Sequence, residues 1–328
     1  MQVGVVVIGR NEGERLQRCL ASLGNKADHV VYVDSGSIDD SVSWAKSCGV
    51  DVVELDMSTP FSAGRARNEG FKRLLQREPA IAYVQFVDGD CTLAPDWLDA
   101  SVAELTERID CAAVVGHLRE LHPDASLYNR LCALEWKSSP GDMSNFGTLG
   151  GISMMRVSVF QQLGGFNQQV IAGEDSELGV RMALAGYKVA KLDQPMANHD
   201  ANILHFSQWW RRAMRSGHAI GQRAFLNGHS AIRDCVRERN SAGFWGIMLP
   251  LMICLTIAPT SGWSLVLLGG YVVLGLRIYN YRRSLSDTPA DAFLYARFIV
   301  LSKFAEGIGM LKFYWNRWRA RYEIIEYK

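Results

Sequence analysis

The 328-residue sequence lacks the cysteine patterns of a disulfide scaffold or a zinc site. Its seven cysteines include no CxxC pair, and their odd number predicts reduced thiols that face the cytosol. Charge of one sign is not in excess, with 35 Lys and Arg against 34 Asp and Glu, so nucleic acid is not an expected partner. No basic stretch precedes the apolar start "QVGVVVIG", which predicts a first strand in the cytoplasm rather than a signal peptide.

Charged residues are also absent between positions 241 and 276, and "APTSG" at 258–262 divides this stretch into two apolar segments. Each segment has about 15 to 19 residues, close to the lower limit for spanning a bilayer. Arginines on both sides favour a membrane hairpin with both ends in the cytoplasm. A re-entrant pair in one leaflet, a buried helical pair or a dimer interface are the alternatives.

Up to about residue 195, short β-rich runs alternate with segments of helical periodicity. The strand candidates are "VGVVVI", "HVVYVD", "VDVVELD", "IAYVQFVD" and "CAAVVG". Their near-continuous apolar character indicates an α/β fold with a mostly parallel sheet covered on both faces. Three polar clusters, at 9–12, 34–37 and 88–90, follow three of these strands, and we expect them to line one ligand crevice at the carboxyl ends.

The first two clusters indicate nucleotide binding. "GRNEGE" is neither a G-x-G-x-x-G fingerprint nor a P-loop, which excludes a typical NAD site. Arg10, Asn11 and Glu12 are candidate nucleotide contacts, although Asn11 and Glu12 are equally suited to the start of the following helix. Asp34 ends an apolar strand, where its carboxylate could accept a hydrogen bond from a base imide or a ribose hydroxyl.

The third cluster, "FVDGD", sets Asp88 and Asp90 on either side of Gly89. On an extended segment two carboxylates two residues apart point the same way, and a glycine between them permits close approach of the backbone. A divalent cation between these carboxylates and a diphosphate would relieve their repulsion, and Mg²⁺ or Mn²⁺ prefers such oxygen ligands. An ordinary Asp-Gly turn is the structural alternative.

Five segments in order resemble the inverting family-2 glycosyltransferases of the GT-A fold, of the membrane-associated bacterial type, over roughly residues 3 to 193. They are "VVVIGRNEGERLQRCLASL", "VVYVDSGSIDDS", "GRARNEGF", "FVDGD" and "MMRVSVFQQLGGFNQQVIAGEDSELGVRMALAGYKV". The resemblance implies a UDP- or GDP-linked sugar donor, a divalent metal and inversion at the anomeric carbon. It assigns Asp34 to the acid that contacts the base and Arg67 with Asn68 to the donor site, while Ser35 stands where the family often has a second aspartate.

The resemblance also assigns the metal and the base. Asp88 and Asp90 match the family's D-x-D, and Asp175 in "GED" matches the general base. An inverting transfer needs a carboxylate that takes the proton from the acceptor hydroxyl. Chemistry alone leaves Glu174 and Asp175 open, because both lie at a predicted helix start whose dipole favours the ionised form.

The segment "HDANILHFSQWWRRAMRSGHA" carries the last candidate residues. His199 is a candidate metal or diphosphate ligand, with a structural histidine as the alternative. Gln208, Arg211 and Arg212 resemble the Q-x-x-R-W motif of processive members, but Arg212 replaces the tryptophan, so processivity is not expected. Arg211 and Arg212 would bind the donor diphosphate, an acceptor phosphate or lipid headgroups.

These observations predict four segments and one activity. The segments are a GT-A catalytic domain at 1–198, an acceptor-side or interfacial helical segment at 199–240, a hydrophobic hairpin at 241–281 and a basic amphipathic helix at 282–328, which lies on the membrane or packs on the catalytic domain. The expected activity is metal-dependent inverting sugar transfer to a lipid-linked or glycan acceptor at the cytoplasmic membrane face. A polyprenyl-phosphate sugar transferase and a non-catalytic nucleotide-binding membrane scaffold are the alternatives. A sugar-nucleotide pyrophosphorylase is disfavoured, because "GRNEGERL" lacks its glycine-rich basic loop.

Overall fold

The computed structural model describes residues 3–24, 27, 29–144, 146, 149–321 and 325–326. The chain forms two compact units. The sheet unit contains 1–122 and 136–201, and the helical unit contains 123–135 and 202–328. The expected boundary at 198 lies close to the observed one, but the sequence did not indicate that 123–135 would join the carboxyl-terminal unit.

The amino-terminal half of the sheet is parallel, with strand order β3-β2-β1-β4. All four strands were expected from their apolar runs. They are β1 (Val3–Gly9), β2 (His29–Asp34), β3 (Asp51–Glu54) and β4 (Tyr83–Asp88). Val5, Val6 and Val7 are fully buried in β1, as expected for a strand covered on both faces.

The other half of the sheet is mixed, so the expected mostly parallel sheet also contains antiparallel pairs. Its strands are β5 (Cys91–Leu93), β6 (Cys111–Glu120), β7 (Gly141–Asp142), β8 (Ser153–Arg156) and β9 (Lys188–His199). The order continues from β4 as β8-β6-β9-β5, with β7 beside β9. β8 runs antiparallel to β4 and β6, and β5 and β7 run antiparallel to β9, whereas β6 and β9 are parallel.

Among the described residues of the sheet unit, six segments form α-helices. They are α1 (Glu14–Leu23), α2 (Ser41–Ser47), α3 (Ala63–Arg77), α4 (Trp97–Glu107), α6 (Val157–Gln162) and α7 (Glu174–Leu184). α3 lies tightly against the sheet at Gly70, where a Cβ atom would overlap the side chain of Val6. Phe71, Phe86 and Phe160 continue this contact as an aromatic cluster, with ring centroids 4.6 and 5.2 Å apart. The core therefore fixes α3 at a short distance from the ends of the strands.

The helical unit is held together by glycine contacts and buried ion pairs. Its helices are α5 (Leu127–Glu135), α8 (Phe206–Asn227), α9 (Val236–Gly243), α10 (Leu249–Thr256), α11 (Gly269–Ser284) and α12 (Pro289–Trp318). Gly217 of α8 lies against the Glu306 backbone, and Gly309 of α12 lies against the Met214 backbone, with no room for a Cβ atom at either glycine. Arg223 also binds the buried Asp234 at 2.7 Å.

The uncharged stretch 241–276 and the charged residues that flank it form two helical arms. α9, a π-helical turn at Phe244–Met248 and α10 form the first arm, which ends before a turn at 257–262. A 3₁₀ segment at Trp263–Leu268 leads into α11 as the second arm. Within the described residues, one helical stretch, Trp263–Ser284, is long and apolar enough to cross a membrane. α12 follows and packs on α8 through buried residues such as Ala305 and Phe313.

Candidate active site

The three polar clusters lie at one edge of the sheet. In the β1–β2 register Gly9 is opposite Asp34, and in the β1–β4 register Ile8 is opposite Asp88. β1 has its sequence neighbour β2 on one side and β4 on the other, so the loops after β1 and β4 leave in different directions. Such a switch point opens a crevice at the carboxyl ends of parallel strands.

Asp34 organises the turn after β2. Its Oδ1 atom accepts hydrogen bonds from the hydroxyls of Tyr32, at 2.9 Å, and Ser37. Its Oδ2 atom accepts from the backbone N–H groups of Gly36 at 2.9 Å and Ser37 at 2.8 Å. These four bonds use the four acceptor positions of a carboxylate. Burial, followed by the charge of Asp34, raises the pKa of the Tyr32 hydroxyl, which keeps it protonated as a donor.

Asn11 joins the loops after β1 and β2. Its φ of 56° lies in the left-handed region, which asparagine tolerates. Its backbone N–H donates to Ser37 Oγ at 2.8 Å, and its Oδ1 accepts from the Ile38 N–H at 2.8 Å. Gly13, rather than either of the expected residues, is the N-cap of α1. The side chain of Asn11 therefore braces two strand-end loops instead of capping a helix.

The other predicted contacts in this region have identifiable partners. The Arg10 guanidinium lies over the Phe61 ring, 5.0 Å from its centroid. Glu12 pairs with Arg15 at 2.9 Å. A Cβ atom at Gly89 would make tight contacts of 3.1 Å with the Glu12 side chain and 3.2 Å with the Ile8 carbonyl. Ser35 is buried.

Arg67 is the central cation of the site. Its guanidinium, 2% exposed, donates to Asp88 Oδ1 at 2.6 Å and to Glu174 Oε1. Burial alone would lower the pKa of Arg67, but the charges of Asp88, Glu174 and Asp175 raise it above its ordinary value. α3 thereby ties the end of β4 to the start of α7.

Asn68 and Gly151 support this arrangement. The Asn68 amide donates to the Phe166 carbonyl at 2.8 Å and accepts from the Phe166 N–H at 3.0 Å, which anchors the loop before α7. Gly151 lies against the Arg67–Asp88 pair, where a Cβ atom would overlap the guanidinium. Sequence reasoning missed Gly151, because only the tertiary structure brings it to Arg67.

Asp90 and His199 come together at the start of β5 and the end of β9. The His199 Nε2 and Asp90 Oδ2 atoms are 3.2 Å apart. Asp90, Cys91 and His199 offer ligand atoms that all lie within 4.8 Å of one another. The chain turns at Gly89 and Asp90 instead of staying extended, so Asp88 faces Arg67 while Asp90 faces His199. This corrects the expectation that both carboxylates point the same way.

Two residues that the sequence analysis missed surround His199. The Trp136 ring meets the imidazole edge to face, with centroids 4.9 Å apart. Glu120, at the end of β6, has an Oε2 atom 4.0 Å from His199 Nδ1 and accepts from the backbone of His122 and Ala201. Burial raises the pKa of Glu120. Its position at the end of an apolar strand was the available signal.

Glu174 and Asp175 start α7 and differ in their surroundings. Gly173 precedes them with a φ of 74°, which makes the tight entry into the helix. Both side chains are buried, but the Arg67 guanidinium binds Glu174. Arg67 also interacts electrostatically with Asp175, so the choice of Asp175 as candidate base stays with the family resemblance.

The remaining candidates, Arg211 and Arg212, lie on α8 in the helical unit. Arg211 is exposed, and Arg212 pairs with Glu135 at 2.8 Å. Gln208 accepts from the backbone N–H groups of Leu204 and His205, so it caps α8. The first residue of the segment that resembles a Q-x-x-R-W motif, Gln208, is thus a helix-capping residue.

Known proteins match the segments that form this site. Residues 4–164 match the family described as Glycosyl transferase family 2, and residues 137–205 match the N-terminal domain of galactosyltransferase. The chain belongs to glycosyltransferase family 2. The first match contains the strand-end clusters and Arg67, and the second contains α7 and His199.

Curated relatives of this family-2 glycosyltransferase carry the same class of activity in their names. An O-antigen chain rhamnosyltransferase of Salmonella typhimurium is 27% identical over 219 residues, which cover 62% of this chain and 67% of the relative. A glycosyltransferase of Haloferax volcanii is 25% identical over 228 residues, which cover 66% of this chain and 71% of the relative. The expectation that the chain is a glycosyltransferase enzyme is therefore confirmed.

Solved structures share the fold of this family-2 glycosyltransferase. A mannosyltransferase from Pyrobaculum calidifontis, in complex with GDP-Man and Mn²⁺, aligns with a TM-score of 0.63 at 19% identity, over 96% of this chain and 88% of that chain. Residues 1–349 of S. aureus TarS in complex with UDP align with a TM-score of 0.55 at 15% identity, over 100% of this chain and 95% of that chain. These alignments confirm the expected GT-A glycosyltransferase fold.

The bridge that the Arg67 guanidinium forms between Asp88 and Glu174 can be tested by replacing Arg67 with lysine. Arg67→Lys keeps the positive charge, but one ammonium cannot reproduce two directed guanidinium bonds. We expect a loss of about 1 to 3 kcal/mol in the free energy of unfolding and weaker nucleotide-sugar binding. Arg65→Lys on the same helix is the control, because Arg65 binds only the backbone carbonyls of Thr59 and Asp56. Equal stability and affinity in both variants, by thermal unfolding and calorimetry, would argue against a bridging role.

Proposed function

We propose that this family-2 glycosyltransferase is a metal-dependent inverting enzyme that transfers a sugar from a UDP- or GDP-linked donor to a lipid-linked or glycan acceptor. We assign the reaction to the cytoplasmic face of the membrane. The observation that carries the proposal is the separation of roles at the end of β4: Asp88 faces Arg67, and Asp90 faces His199. Metal-dependent release of nucleoside diphosphate from a panel of sugar nucleotides tests it.

The donor nucleotide is assigned to the crevice beyond β1 and β2. The mannosyltransferase neighbour was solved with GDP-Man, and another TarS structure was solved with UDP-GlcNAc, so related folds hold both kinds of donor. Because Asp34 already accepts four hydrogen bonds, its role here is to hold the Ser35–Ser37 backbone in position. Arg10, Asn11 and Glu12 then form the surface offered to the base and ribose, next to the buried Ser35.

The metal is assigned to Asp90 and His199, together with Asp88, which precedes Asp90 in the D-x-D. A carboxylate and an imidazole 3.2 Å apart suit Mn²⁺, and Asp88 retains a second oxygen beside its bond to Arg67. A divalent cation supplies positive charge that stabilises the leaving diphosphate. Arg67 and Gly151 keep Asp88 in place, and Trp136 fixes the plane of the imidazole.

The metal assignment predicts different nucleotide affinities with and without the cation. Asp90→Asn and His199→Gln should each weaken binding of UDP or GDP by about tenfold or more in Mn²⁺, because each removes a ligand. In a chelator all variants should bind as weakly as the unaltered chain. Calorimetric titration measures these affinities.

The sheet unit offers a matched control for this experiment. Asp193 and His117 form another Asp–His pair, 2.9 Å apart, in which Asp193 is 81% exposed. Asp193→Asn and His117→Gln should leave nucleotide affinity unchanged. If they weaken binding as much as the site variants do, or if chelation has no effect, the metal assignment is wrong.

Asp175 is assigned as the general base. Its carboxylate would take the proton from the acceptor hydroxyl as that oxygen attacks the anomeric carbon. Glu174 stays in its ion pair with Arg67 and contributes to the shape of the donor site. The start of α7 adds a favourable dipole for an ionised carboxylate.

Asp175→Asn should lower the rate of sugar transfer by about 100-fold or more while nucleotide affinity is kept. Glu174→Gln is the matched comparison, because it removes the neighbouring charge and should mainly reduce stability and donor binding. Single-turnover transfer assays and calorimetry separate the two effects. Turnover of Asp175→Asn at the rate of the unaltered chain would remove Asp175 from the mechanism.

The membrane assignment rests on the uncharged arms of the helical unit. Leu255, Trp263 and Val266 are 76%, 77% and 69% exposed. Exposed apolar side chains on a stretch without charge are suited to lipid contact. The relative from Salmonella typhimurium and another from Salmonella anatum are both named O-antigen chain rhamnosyltransferases. These names indicate glycan substrates for the relatives, which supports a glycan or lipid-linked acceptor here.

Charge in the apolar arms should reduce membrane binding. Leu255→Glu and Val266→Glu each set a carboxylate in the lipid-facing stretch, which is costly in hydrocarbon. We expect a smaller fraction of each variant to float with anionic liposomes. Ile109→Glu, at an 85% exposed position of the sheet unit, is the control and should float like the unaltered chain. Equal flotation of all variants would contradict the membrane assignment.

A further inference from the structure

The helical unit contains a cavity of about 190 Å³ lined by α5, α8 and α12. Leu131, Trp209 and Phe298 form an apolar part of its wall, and the two aromatic rings meet edge to face with centroids 4.9 Å apart. A water molecule occupies about 30 Å³ of liquid, so the cavity has room for about six waters or one six-membered sugar ring.

The rest of the wall is polar. Arg212 pairs with Glu135 at 2.8 Å, and both side chains are about one quarter exposed. Ser302 donates to Glu306 at 2.7 Å, and Glu306 is 8% exposed. Ser216 lies at the exposed rim. Hydrogen-bond donors and acceptors thus border the same space as the aromatic rings.

The charges of the wall restrict the ligand. An anion such as phosphate would face the carboxylates of Glu135 and Glu306, and the one guanidinium of the wall is already paired with Glu135. A purely apolar chain would cover these charged groups without replacing their water, which is unfavourable. Lys303 balances Glu306 at 2.7 Å, so a cation gains little. The wall therefore favours a neutral ligand.

A pyranose combines the required properties. Its hydroxyls can donate to the carboxylates of Glu135 and Glu306 and accept from Arg212 and Ser216. The C–H groups of its ring form an apolar face that can lie on Trp209.

We propose that this cavity binds one neutral monosaccharide unit, and that this unit belongs to the saccharide part of the acceptor. The acceptor role of this unit rests on the proposed sugar transfer. Binding of the monosaccharide in the cavity holds whether or not transfer occurs. All lining residues belong to the helical unit, whereas the residues assigned to the base, the ribose, the metal and the general base belong to the sheet unit, and Arg212 is the one lining residue that the sequence analysis also offered to the donor diphosphate.

Filling the cavity from its rim tests the binding site. Ser216→Phe adds an aromatic ring at an exposed lining position, and Ser207→Phe is the matched control on the same helix, exposed but outside the lining. The probes are the methyl glycosides of mannose, rhamnose, glucose and galactose. Their binding to the full chain in detergent is measured by saturation-transfer NMR. Inorganic phosphate and cyclohexanol serve as comparison ligands.

We expect at least one glycoside to bind the unaltered chain and Ser207→Phe, and to bind Ser216→Phe about tenfold more weakly or worse. Phosphate and cyclohexanol should not compete. Absence of glycoside binding, equal binding to Ser216→Phe and Ser207→Phe, or displacement by phosphate would overturn the proposal. Thermal unfolding checks that the variants are folded, and Ser216→Gln, a smaller plug, gives the same direction of change if Ser216→Phe is unstable.

Activity assays separate this inference from the proposed function. Ser216→Phe should raise the KM for a saccharide acceptor while donor hydrolysis by water, measured as released nucleoside diphosphate, stays unchanged. If the unaltered chain releases no nucleoside diphosphate, the proposed function fails, and the NMR result still decides the binding site. If release is normal and Ser216→Phe transfers like Ser207→Phe, the acceptor role is overturned.

Discussion

The buried guanidinium of Arg67 is the interaction on which the site depends. It joins two carboxylates that lie 21 and 107 residues away in the chain, one at the end of β4 and one at the start of α7. Breaking a buried ion pair by removing one partner leaves an uncompensated charge, which costs about 3 to 5 kcal/mol. The glycines around it follow from this constraint, since Gly70 brings α3 onto the sheet and Gly151 leaves room for the guanidinium.

Local sequence patterns predicted the parts of the fold that local forces determine. The apolar runs of β1, β2 and β4 are long, rich in valine and buried on both faces, so their pattern was sufficient. β5, β7 and β8 have two to four residues each, too few for a periodicity to emerge. Their direction depends on pairing with distant strands, which no local pattern encodes. The parallel half and β6, which begins with "CAAVVG", were therefore predictable, whereas the short strands of the mixed half were not.

The same distinction applies to the site and to the helical unit. The sequence predicted which residues would gather, because polar residues after parallel strands share one edge. It could not predict the partners of these side chains. Asp34 accepts hydrogen bonds from the backbone of its own loop, and Arg67 binds Glu174, which is far away in the sequence. In the helical unit the uncharged arms were visible, whereas the glycine contacts of Gly217 and Gly309 depend on which turn of α8 meets which turn of α12.

The two aspartates after β4 illustrate how the fold resolves like charges. A bend at Gly89 turns Asp88 and Asp90 to different partners, so the two carboxylates do not compete for one partner. The partners are not equivalent. A guanidinium cannot lose its proton and can only donate, whereas an imidazole nitrogen can donate, accept or bind a metal. Arg67 thus holds one oxygen of Asp88 in place, whereas the Asp90–His199 pair can change its partners. Under the proposed metal assignment the two aspartates have different tasks: Asp88 is a carboxylate anchored by the chain itself, and Asp90 belongs to the pair that rearranges when a cation and a diphosphate bind.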